Sequence, residues 1–286
     1  LIRTIPVALL ELLSLAVLSC ARVTVPAHPL PSPQKGHEAI ESPVATAWKP
    51  QLVPGTYSYI IHDSALISVG SDTTHTVPIE TTTYLSLEIE RRDDSMHVKT
   101  RVDSAFRIAD QRISNDTTVF TEPVYSYSLT GHAEIVATIP TINCTTARSA
   151  VESRIPELLP SYPIHSIRPG DQWSDTISTS SCRGKTRLSK QNIREFQLVD
   201  LDRTNRQNFA QVHKSVTVNI QSVPTVTANA FKASGTGSIS GIFYIDLSTG
   251  MVLESISHSE SSFTVTTTRG VFPFTQTVYT KIKREN

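Results

Sequence analysis

The chain holds nine histidines and three cysteines, and these are its residues with the widest chemical range. Acid–base or metal chemistry would need them close to one another or to a carboxylate. His62 and Asp63 are adjacent, while His132 and Glu134 lie two apart, as do His258 and Glu260. Residues two apart on a strand share a face, so the last two pairs could orient each other or hold a metal weakly. A solvated polar pair on a wet strand face is the commoner arrangement and fits these positions equally well. Neither Cys144 nor Cys182 has a His or Cys at ligand spacing, which argues against a zinc site. The segment SGTGSISGIF, with Gly235, Gly237 and Gly241, has the glycine content of a phosphate loop. Such a loop leads into a helix whose N-terminus meets the anion. Here IFYIDL follows, with the composition of a strand, so the glycines mark a bulge, a kink or a bend in a sheet. Asp171, Trp173 and Asp175 follow Gly170. Trp173 reads as a core anchor and the two acids as exposed turn residues. These residues therefore assign no catalytic group, no metal and no cofactor.

The surrounding elements are strands. Of 286 residues, 38% are hydrophobic and 18% charged, enough for a packed core and too apolar for wholesale disorder. Formal net charge is zero and no basic stripe is present, which removes the electrostatic case for nucleic acid. In YLSLEIERRDDSMHVKTRV, Leu85, Leu87 and Ile89 alternate with Ser86, Glu88 and Glu90. After a charged turn at 91–95, Met96, Val98 and Val102 continue the apolar face. This is the pattern of a β-hairpin on a half-solvated antiparallel sheet. Val216, Val218 and Ile220 repeat it, as do Tyr57, Tyr59 and Ile61. GIFYIDLSTGMVLE reads as a hairpin turning at 246–250, with Gly250 suited to a positive φ. A further hairpin turns at Arg269-Gly270. About a dozen strands result.

Residues 145–155 break the pattern, with Ala147, Ala150 and Glu152 favouring a short central helix that Pro156 ends. Pro160, Pro163 and Pro169 continue it as a crossover. PGTYSYIIHDS at Pro54 and PGDQWSDTIST at Pro169 each precede a long hairpin with a charged turn. Two pseudo-repeated halves, 55–140 and 169–286, are expected from that likeness. The expected fold is mainly β: one domain, 55–286, with an antiparallel, strongly curved sheet or half-barrel and the one central helix.

At the N-terminus, residues 7–18 form an apolar run of signal-peptide length, preceded by Arg3. It ends in Val17-Leu18-Ser19-Cys20. This resembles the lipobox of bacterial lipoproteins, in which the signal peptide is cut before a cysteine that then carries a diacylglyceryl thioether. The resemblance makes 1–19 the signal peptide, Cys20 the lipidated residue and 20–54 an attachment and tether segment. Seven prolines from Pro26 to Pro54 suit an extended spacer, with Trp48 packing near its end. If Cys20 carries lipid, Cys144 and Cys182 remain as a pair in an oxidising compartment. A bridge closing that loop would stabilise the fold by about 4 kcal/mol. The expected place is the bacterial cell envelope, periplasm-facing or at the outer membrane, towards which Ala21 after the cysteine leans. A curved sheet around a helix is similar to the half-barrels of bacterial lipoprotein carriers.

Together these readings imply a non-enzymatic envelope lipoprotein. Its partners would be the membrane, through the lipid, and an apolar ligand or a protein, with no nucleic acid. The competing reading is a secreted hydrolase whose site assembles only in the fold. Its sign would be a pocket gathering a Ser or carboxylate with a His in hydrogen-bond reach.

Overall fold

The computed structural model describes residues 47–70, 76–92, 95–109, 112–115, 126–129, 135–136, 158–163, 165–183, 186–203, 208–223, 231–268 and 270–285. Cys20, Cys144, the His132–Glu134 pair and the expected helix at 145–155 lie outside them. Among the described residues every element is a strand: β1 (Gly55–Val69), β2 (Thr76–Arg92), β3 (Ser95–Ala109), β4 (Arg112–Asn115), β5 (Ser126–Leu129), β6 (Ile135–Val136), β7 (Gln172–Arg183), β8 (Thr186–Asp202), β9 (Phe209–Val223), β10 (Lys232–Asp246), β11 (Val252–Thr267) and β12 (Gly270–Arg284). They form one antiparallel sheet in the order β6-β5-β3-β2-β1-β12-β11-β10-β9-β8-β7, with β4 paired to β3 off that path. Among the described residues the sheet is not closed. The first long strand and the last one meet near its middle, where Tyr59 pairs with Arg284 and Val69 with Phe274.

The alternation in sequence becomes a choice of face. On β1, Tyr59, Ile61, Ala65 and Ile67 are buried, while Ile60, His62, Ser64 and Leu66 between them are not. Register carries that choice across the sheet, because side chains on directly opposed residues share a face. β2 and β3 stay paired up to Arg92 opposite Ser95, at the charged run expected to join them. Gly250 turns β10 into β11 with φ 68°. Its amide donates to the Asp246 carbonyl at 2.8 Å.

The inner face carries two apolar clusters. The larger gathers Tyr59, Ile61, Leu85, Leu87, Val98, Leu198, Val212, Phe243, Ile245 and Ile282. Trp48, Leu158, Leu159, Tyr162 and Ile167 close it from outside the sheet. Trp48 and Ile167 exchange two backbone hydrogen bonds of 2.8 Å. The Tyr162 hydroxyl donates to the Gly250 carbonyl at 2.6 Å. The last residues of the proline-rich stretch, 47–54, are thus part of the fold rather than free tether, and Trp48 is 4% exposed. The smaller cluster joins Ala65, Ile67, Ile79, Leu188, Ala233, Val265, Phe274 and Val278.

The three glycines of β10 face inward. A Cβ on Gly235 would lie 2.2 Å from the Phe263 Cβ and 2.4 Å from the Ser262 carbonyl oxygen. One on Gly241 would lie 2.5 Å from the Ile256 carbonyl oxygen. The glycine-rich segment is a strand whose neighbour comes too close for any side chain, as its lack of a following helix suggested.

Candidate functional site

A groove of about 870 Å³ opens on the face of β7 to β12 opposite the apolar core. Register builds it in rows. Ser174 pairs with Glu195, Glu195 with Ser215, Ser215 with Ser240, Ser240 with His258, and His258 with Tyr279. All six side chains are exposed. The adjoining row runs Gln172, Gln197, His213, Ile242 and Ile256, each opposite the next. Tyr244 lies two residues along β10 from Ile242 and stands edge-on to Phe209 with centroids 5.3 Å apart. The groove therefore offers one hydrogen-bonding side chain per strand along one row, and along the other Gln172, Gln197 and His213 on β7 to β9 followed by isoleucines and a tyrosine on β10 and β11. Glu195 is the single carboxylate among its lining residues.

The layer beneath the groove is polar in an unusual way. Lys214 shares the inward face with Val216 and Val218 and is 6% exposed. Its Nζ lies 4.4 Å from the centroid of the Phe243 ring, an arrangement that stabilises a cation out of water. Arg194, on the inward face of β8, is held by Asp175 of β7. Its Nε donates to Oδ1 at 2.6 Å and its Nη2 to Oδ2. The same guanidinium reaches Ser161 Oγ at 3.1 Å, tying the segment that covers the core to the sheet edge. Trp173 anchors the same place: it stacks on Phe196 at 5.4 Å and donates to the Ser161 carbonyl at 2.8 Å.

These contacts correct part of the sequence reading. Trp173 is the expected anchor, and Asp171 is exposed, accepting from the Arg168 amide at 2.8 Å. Asp175 is a buried guanidinium's partner rather than a turn carboxylate. His62 and Asp63, adjacent in sequence, point to opposite faces. His62 contacts Thr82 Oγ1 at 3.1 Å on the outside, while Asp63 is buried and accepts from Thr280 Oγ1 at 3.0 Å. His258 lines the groove, but Glu260 does not. Among the described residues no three metal-ligating side chains gather. Cys182 lies on β7 opposite Arg187, and no disulfide is present among the described residues.

A second polar cluster closes the β10–β11 turn. Asp246 accepts from the Ser248 amide at 2.9 Å, Ser248 Oγ at 2.6 Å, Thr249 Oγ1 at 2.9 Å and Arg284 Nη2 at 3.0 Å. Burial alone would raise its pKa, but the hydrogen bonds from Ser248, Arg284 and Thr249 outweigh it and hold the carboxyl below the usual range. Tyr59 and Tyr162 are raised instead, chiefly because burial penalises the phenolate. This cluster pins the C-terminal strand to a turn.

His258 was a candidate from sequence; the other polar groove residues were missed because a polar side chain facing a groove and one facing open water follow the same alternation. Lys214 carried a usable signal: it sits in phase with Val212, Val216 and Val218. No protein-family profile matches the chain, and no match was found among curated proteins.

Proposed function

We propose that this chain is a non-enzymatic lipoprotein of the bacterial cell envelope that binds a ligand or a protein segment on the outer face of its sheet. The groove across β7 to β12 carries this reading, because the opposite face is occupied by the chain's own core. An open antiparallel sheet with one apolar face, and three inward glycines on β10, suits the half-barrel architecture. The two-halves reading draws support from β1–β3 and β7–β9, each a three-strand meander that follows a Pro-Gly pair. The anchor rests on Val17-Leu18-Ser19-Cys20. Cys144 and Cys182 complete it as an oxidised pair.

Labelled palmitate fed to cells making the wild type or Cys20→Ala tests the anchor. Label in the wild type and none in the variant is the expected result; equal labelling, or none in either, sinks it. The hydrolase reading has one observation in its favour: Ser240 and His258 are direct cross-strand neighbours in the groove. Turnover of ester, peptide or glycoside substrates that Ser240→Ala abolishes would replace the binding reading.

A further inference from the structure

We draw no further inference here: the strongest candidate, the outer-face groove across β7 to β12 lined by Glu195, His213, His258 and Tyr279, belongs to the site already described, and nothing in the structure shows what covers it.

Discussion

The two faces of strands β8 to β12 are built on opposite rules. Inside, Gly235, Gly237 and Gly241 leave no room for a single added carbon, and two cations are buried against aromatic rings and a carboxylate. Outside, the same strands carry serines, glutamines and histidines, many of them exposed. The inner face is constrained by close approach; the outer face is free to vary its chemistry. A sheet so fixed on one side can hold a row of side chains in constant register on the other.

The sharpest way to break this contrast is to add the same side chain to each face of one strand. Gly235→Val places carbons where Phe263 and the Ser262 carbonyl already stand, and should cost about 4 kcal/mol or more. Thr236→Val, one residue on and facing outward, should change stability by no more than about 0.5 kcal/mol. Chemical denaturation midpoints of the two variants measure the difference; equal losses would show that β10 is not pinched on its inner side.

Asp175→Ala comes next. It leaves the Arg194 guanidinium buried without its carboxylate, at a cost of about 3–5 kcal/mol. Adding Arg194→Met should restore part of that loss, since a buried apolar side chain is tolerated where a lone charge is not. A double variant no more stable than the single one would mean that Asp175 acts through something other than the pair.

The smallest effect is pH-dependent. The folded-state pKa of Asp246 lies below its unfolded value. The stability it contributes is therefore present in full above the ordinary carboxylate pKa of about 3.9 and fades as pH falls through the lower folded value. Asp246→Asn should remove that dependence and cost about 1–3 kcal/mol at neutral pH. Melting curves of both proteins from pH 7 down to pH 2 would separate further in acid, rather than converge, if the sign were wrong.

Much of this architecture is written locally. Leu85, Leu87 and Ile89 announce a half-buried strand because every second residue of a pleated chain meets the same face. Gly250 announces a turn because a positive φ suits glycine. The strand character after Gly241 was legible because IFYIDL lacks the helix a phosphate loop needs. Lys214 and Arg194 were harder to place: each lies within an alternating strand, and a charge at an inward position reads as a register error until a partner is seen. Asp175 was misjudged for the complementary reason. Its partner comes from the next strand, nineteen residues away, and no local pattern encodes that distance.

From its residues alone this chain declares a β-rich domain, its hairpins and the faces of its strands, since those follow from period, turn chemistry and steric limits within a few neighbours. The order of the strands, the burial of Arg194 against Asp175, and the alignment of Ser174, Glu195, Ser215, Ser240, His258 and Tyr279 into one row arose only on folding. Each depends on register between segments far apart in the chain, and register is fixed by the packing of the whole inner face.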